Sequence, residues 1–130
     1  MEPKKTLAVD EINLSDWDFW GLPLEEREGA FQTLRELRPL ALFEDPEVNQ
    51  TSIPIPRGNG YYAVTRHADI VELSRNPELF SSAAGATSVF DMPPEFLEFF
   101  GSMINMDDPR HARLRRIVSA GFTPRMIKKF

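Results

Sequence analysis

Two side chains near the end of the sequence have the types and spacing to hold an anion. In Arg110-His111-Ala112-Arg113-Leu114-Arg115-Arg116, His111 and Arg115 stand four apart, and on a helix that spacing puts them on one face. Both donate hydrogen bonds, and the planar guanidinium offers a fork matched to a carboxylate. Opposite this face runs the edge of an apolar stripe made by Leu114, Ile117 and Val118. The pair can therefore hold a buried anion while the helix packs. Two other assignments use the same residues. A run of charge is also what a solvated helix face looks like, and Arg113, Arg116, Arg125 and Lys128 are candidates for nucleic-acid contact. Against the latter, the rest of the chain is acidic and no stacking aromatics interleave with the basic residues. Spacing alone leaves the site undecided.

Other candidate constellations are weaker. Gly58-Asn59-Gly60-Tyr61-Tyr62-Ala63 matches the letters G-x-G-x-x-A, but a dinucleotide site needs a strand before the glycines and a helix N-terminus after them. Here a proline-rich stretch precedes and a strand pattern follows, so a turn with Gly60 at positive φ is expected instead. Asp107-Asp108 is a carboxylate pair whose adjacent side chains diverge, and a helix cap accounts for Asp108. Asn13-Leu14-Ser15 and Asn49-Gln50-Thr51 are glycosylation acceptors by letter only. His67 opens a helix beside a strand and is expected to be partly exposed. Cysteine is absent, which excludes a disulfide framework, a zinc ribbon, a cysteine nucleophile and any thiolate metal ligand within these residues.

The elements that must position these groups follow from composition and pattern. The chain has 130 residues, 42% hydrophobic and 27% charged, enough for one ordinary domain and far from the disordered class. Its net charge of -5 argues against a nucleic-acid-binding domain as a whole, but hides an asymmetry. No acidic residue follows Asp108, whereas Arg110, Arg113, Arg115, Arg116, Arg125, Lys128 and Lys129 do. A chain closing on this unbalanced segment is expected to be one piece of a longer polypeptide. Neither a signal peptide nor an apolar run of the ~18 residues needed for a membrane helix occurs. A soluble, cytoplasmic chain without an integral membrane segment is the expectation.

Residues 1–17 read as an extended arm, followed by the aromatic cluster Trp17, Phe19 and Trp20. Ala30, Phe31, Leu34 and Leu37 recur at helical spacing, predicting an amphipathic helix over 24–38 that Pro39 ends. Short strands are predicted at 40–43 and 61–65, and a short helix at 68–75 halted by Asn76-Pro77. Pro93-Pro94 opens another short helix through Phe100. The last predicted helix is capped by Asp108, has Pro109 in its first position and stops at Gly121.

A long stretch, Asn105-Met106-Asp107-Asp108-Pro109-Arg110-His111 through Gly121-Phe122-Thr123-Pro124-Arg125, resembles the start of the C-helix region of bacterial cytochromes P450. Upstream, Tyr62 to Ile70 and Pro77 to Ser82 are similar to that family's second β1 strand, B helix and following loop. The likeness runs from Asp18 to Phe130. Two further blocks, Asp18-Phe19-Trp20 with Gly29 to Arg35, and Phe100 to Ile104, are most similar to its actinobacterial members that ω-hydroxylate methyl-branched lipids, close to the sterol side-chain hydroxylases.

The resemblance implies a mainly α chain with a small β sheet: helix A, the first β1 strands and helices B, B′ and C of the P450 fold, incomplete as a domain. It implies that residues 1–130 are an N-terminal fragment of a single P450 domain. It further implies that His111 and Arg115 bind the propionates of haem b, and that the helix from Pro94 to Phe100 with the loop to Ile104 roofs the substrate pocket. Phe100 and Ile104 match apolar substrate-contacting positions, whereas Phe90 stands where the lipid hydroxylases carry a polar residue. Arg113 and Arg116 would meet an acidic ferredoxin, itself supplied by a ferredoxin reductase, through charge attraction. The family's oxygen-activating threonine helix, its E-x-x-R pair and its haem-ligand cysteine loop have no counterpart in these residues. The expected activity of the full-length protein is O₂-dependent monooxygenation of a hydrophobic substrate, a methyl-branched lipid or steroid side chain. The chain alone is expected to be inactive and marginally folded. The alternative from the residues themselves is a non-catalytic binding module with a basic C-terminal helix.

Overall fold

The computed structural model describes residues 1–47, 58–85, 88–89, 95 and 101–128. The chain divides into two compact units, one formed by residues 1–76 with 89–91 and the other by 77–88 with 92–130.

The first unit holds a core. Helix α1 (Trp17–Gly21) begins where the Asp16 carboxylate accepts from the Asp18 amide, satisfying one of the donors that a helix start leaves open. Helix α2 (Leu24–Leu37) follows, with Glu25 and Glu26 in its first turn and Arg35 in its last, each sign placed to favour the helix dipole. Strand β1 (Leu40–Phe43) pairs antiparallel with β2 (Tyr61–Val64), Leu40 opposite Val64 and Phe43 opposite Tyr61. Alternation along β1 buries Ala41 and Phe43. These two join Ile12, Leu14, Phe19, Ala30 and Leu34 in one apolar cluster. The ring of Phe19 meets Trp20 and Phe31 edge-on at 5.2 and 6.0 Å, a geometry that sets the positive ring edge against the negative face. Helix α3 (His67–Arg75) leaves the sheet directly. It ends where the Asn76 side chain donates to the Glu72 carbonyl.

Several local expectations change here. The arm is not a free extended segment: it carries a 3-10 turn at Val9–Glu11, buries Ile12 and Leu14, and lies against α2. The Lys4 amide donates to the Glu25 carbonyl at 2.9 Å, Lys5 pairs with Glu36 at 2.6 Å, and Arg38 pairs with Asp10. At the crossing a Cβ on Gly29 would lie 2.1 Å from the Lys4 carbonyl oxygen, so only glycine admits the backbone there. The buried stripe of α2 is accordingly Gly29, Ala30, Thr33 and Leu34, while Leu37 is exposed. The two predicted strands pair with each other, but the turn at Gly58-Asn59-Gly60 does not join them tightly, because seventeen residues lie between β1 and β2. Gly60 has a φ of +83° and approaches the Phe43 carbonyl oxygen, to which a Cβ would come within 2.3 Å. That fits a strand entry and not a phosphate-binding loop.

The second unit contains a 3-10 turn at Met103–Asn105, helix α4 (Arg110–Gly121) and the short helix α5 (Pro124–Ile127). Of the predicted helix over 93–100 only Glu95, which is helical, is among the described residues, and Phe90 and Phe100 lie outside them. Helix α4 starts one residue later than expected, with Pro109 preceding it, and Asp108 caps by accepting from the Ala112 amide at 3.0 Å. Gly121 is inside α4. The chain turns at Phe122, and the Thr123 hydroxyl accepts from the Met126 amide to start α5.

Candidate functional site

Helix α4 carries both predicted clamp residues. His111 lies in its first turn and is half-buried, and Arg115 is exposed one turn on. The helix is set by donors and acceptors close in sequence: the His111 amide donates to the Asp107 carbonyl at 3.0 Å and the Arg113 amide to the Pro109 carbonyl at 3.1 Å. The His111 ring is fixed as well, its Nδ1 lying 2.9 Å from the carbonyl oxygen of Met103. That carbonyl belongs to the 3-10 turn, in which Ser102 accepts from Asn105 through its carbonyl at 2.9 Å and from Ile104 through its hydroxyl at 3.4 Å.

Asp107 has a role that sequence reasoning missed. Its carboxylate accepts from the Ser82 amide at 2.7 Å, the Ala83 amide at 3.3 Å and the Ser81 hydroxyl. Ser81 in turn accepts from the Ala84 amide at 3.2 Å. The carboxyl of Asp107 is held below its ordinary value, chiefly by the Ser81 hydrogen bond, with the Ser82 and Ala83 amides and the nearby charge of His111 adding to it and partial burial opposing. So Asp107 and Asp108 do diverge, one tying the turn at 81–85 and the other capping α4. The available signal was the polar pair itself, but its partners lie some twenty-five residues away.

The apolar stripe of α4 is not buried. Leu114 is half-buried, and Ile117 and Val118 are 65% and 48% exposed. Arg110, Arg113, Arg116, Arg125 and Lys128 are exposed too. Ile104 is 63% exposed at the tip of its turn, and Phe100 lies outside the described residues. His67 opens α3 and is exposed. Among the described residues no cluster of His, Asp or Glu has the grouping of a metal site, and no helix is long and apolar enough to cross a membrane.

His111 and Arg115 are donors of a kind that suits a carboxylate, such as those on the edge of a haem, and the chain offers no thiolate for its iron. His111 and Arg115 are two cation-capable donors one turn apart, beside an apolar strip with no partner inside its own helix.

No family model matches the chain. Individual proteins do. It is 41% identical over 98% of its length to the methyl-branched lipid omega-hydroxylase of Mycobacterium tuberculosis, covering 28% of that protein. It is 38% identical over 87% of its length to the steroid C26-monooxygenase of Mycolicibacterium smegmatis, covering 27% of it. A Mycobacterium marinum cytochrome P450 solved in complex with pseudoionone superposes with a TM-score of 0.72 at 40% identity, over 99% of this chain and 29% of that one. The chain thus spans under a third of the length of the relatives it matches. Over nearly all of its own residues, the chain matches a segment of cytochromes P450 in both sequence and backbone.

Proposed function

We propose that the chain is the N-terminal segment of a haem-thiolate monooxygenase and that its part is to hold haem and cover substrate. The observation that carries this reading is the placement of His111 and Arg115 one turn apart on α4. A matching P450 segment supports it. The two side chains would pair with the two propionates. A carboxylate meeting a guanidinium and an imidazolium forms charge-assisted hydrogen bonds, roughly twice as strong as neutral ones. Bound haem b would supply the activation of O₂, through an iron whose thiolate ligand these residues do not contain.

The substrate would be apolar: a methyl-branched lipid or a steroid side chain, the compounds named for the relatives. Phe100 and Ile104 would contribute to its pocket. The exposed Ile104 side chain has an apolar surface free for that contact. Arg113 and Arg116, exposed on α4, would face an acidic ferredoxin fed by its reductase, with attraction raising the association rate more than the affinity. By itself the chain would not oxidise substrate, and it would act in the cytoplasm as part of the longer enzyme.

The test is haem capture. Substituting His111 and Arg115 together by Ala in the complete enzyme is expected to lower haem occupancy after purification and to speed haem loss to apomyoglobin. Unchanged occupancy and transfer rate would remove the propionate assignment. Binding of the chain to an acidic polymer, steeply salt-dependent and without haem affinity, would favour the non-catalytic module instead.

A further inference from the structure

The bond from His111 to Met103 constrains more than the direction of the ring. A carbonyl oxygen only accepts, so Nδ1, 2.9 Å from the Met103 oxygen, holds the ring proton and donates it. In a neutral ring Nε2 then carries no proton and is itself an acceptor. A carboxylate approaching Nε2 would meet lone pair against lone pair. Nor can the ring readily exchange roles, because the Met103 carbonyl sits in a turn closed by the Ser102 bonds to Ile104 and Asn105.

We propose that His111 engages a haem propionate only as the imidazolium, so that filling the clamp takes up one proton from solvent at Nε2. The proposal rests on the propionate assignment above. Its balance is simple: the ring enters with Nδ1–H, gains one proton at Nε2 and donates it to a carboxylate that keeps its charge. No other bond breaks. The cost of charging the ring is offset by the pair that forms, which a neutral clamp residue would not make.

The charged surroundings act in both directions. Asp107, whose backbone carbonyl receives the His111 amide, and Asp108, which accepts from Ala112, are the carboxylates beside it in sequence. Arg110 and Arg115 are the neighbouring cations on α4. The turn at Met103–Asn105 brings no titratable side chain, nor does the turn at 81–85. Arg115 therefore supplies a fixed charge to the clamp and His111 a conditional one, since guanidinium stays protonated throughout.

The chain has two histidines, and exposed His67 serves as an internal reference. Long-range ¹H–¹⁵N spectra of the whole chain at about pH 8.5, above the ordinary imidazole range, should show the Nδ1–H tautomer for His111. For His67 they should show the Nε2–H-dominated mixture of a solvated ring. Identical patterns for the two rings would overturn the proposal. Calorimetric titration with haemin in two buffers of different ionisation enthalpy then reads the proton directly. Uptake of up to about one proton per haem is expected, and its loss in His111→Gln, whose amide donates without being charged. Equal uptake in both proteins also overturns the proposal. A locked ring in a complete enzyme whose haem occupancy is unchanged by the loss of His111 and Arg115 would defeat the propionate assignment, and this proposal with it, while leaving the Met103 bond standing.

Discussion

The two units of the chain bury their side chains very differently. In the first, seven apolar residues from the arm, α1, α2 and β1 close on one another, and Leu34 is 1% exposed. In the second, Met106 is the one buried side chain among the described residues, and the longest helix, α4, buries none. Yet the second unit has the candidate clamp. The order of the first comes from hydrophobic contact within the unit, whereas that of the second comes from hydrogen bonds: Asp107 to the 81–83 backbone, Asp108 to Ala112 and His111 to Met103. Hydrogen bonds exchanged against water contribute about 1 kcal/mol each, far less than burial of a large apolar side chain. Among the described residues no core forms beneath the apolar stripe of α4.

The contrast is tested hardest at Leu34. Leu34→Ala removes a fully buried side chain and leaves a cavity, at an expected cost of about 2–5 kcal/mol. Both tryptophans, Trp17 and Trp20, belong to the first unit, so denaturant unfolding followed by their fluorescence reads that loss directly. An unshifted midpoint would mean that the first unit has no cooperative core. Next in size is Gly29→Ala. The added methyl carbon would meet the Lys4 carbonyl oxygen at 2.1 Å and the Lys5 amide nitrogen at 2.8 Å, both backbone atoms that no rotamer change moves. Overpacking of this kind costs about 1–3 kcal/mol. Trypsin should then cut after Lys4 and Lys5 much faster than in the parent chain, and equal cleavage rates would refute the docked arm.

What the amino-acid pattern made legible divides along the same line. Helices α2 and α3 and both strands were readable because their signals are local: Ala30 and Leu34 at helical spacing, β-branched and aromatic residues at Tyr61–Val64, Asn76-Pro77 as a stop. The arm across Gly29 was not, since a glycine inside a helical pattern carries no mark of the backbone it admits. In the second unit the spacing of His111 and Arg115 was readable from helix geometry, but the Met103 carbonyl and the Ser81–Ala83 donors were not. Backbone groups have no identity in a sequence, and Asp107 reaches its own across some twenty-five residues.

A smaller effect is expected from acid on the second unit. The native Asp107 carboxyl is held below its ordinary value, first by Ser81. A depressed native value means that the stabilisation is present above the ordinary carboxylate range and is lost as pH falls through the native value. Amide exchange at Ser82 and Ala83 should therefore stay slow near neutrality. Corrected for its intrinsic pH dependence, it should accelerate from about pH 4 downward, while the amides of α2 stay protected longer. Asp107→Asn should give the acid behaviour already at pH 7. Protection at Ser82 and Ala83 unaffected by either change would show that the turn is held by something other than this carboxylate.

The smallest effect should come from α4 itself, and its smallness is the point. Ile117 is 65% exposed, and Ile and Ser have nearly the same intrinsic helix propensity. Ile117→Ser therefore leaves the backbone term almost unchanged and reports burial alone. With little apolar surface buried, the expected change is within about 0.5 kcal/mol, read as helix protection by amide exchange on the isolated chain. Leu34, of similar size, costs several times more because its surroundings cannot follow it into the space left behind. If Ile117→Ser proved as costly as Leu34→Ala, the stripe of α4 would have a partner within these 130 residues, and the second unit would own a core after all. If it is neutral in the chain alone but destabilising in the haem-loaded enzyme, the stripe exists for what the clamp helix packs against.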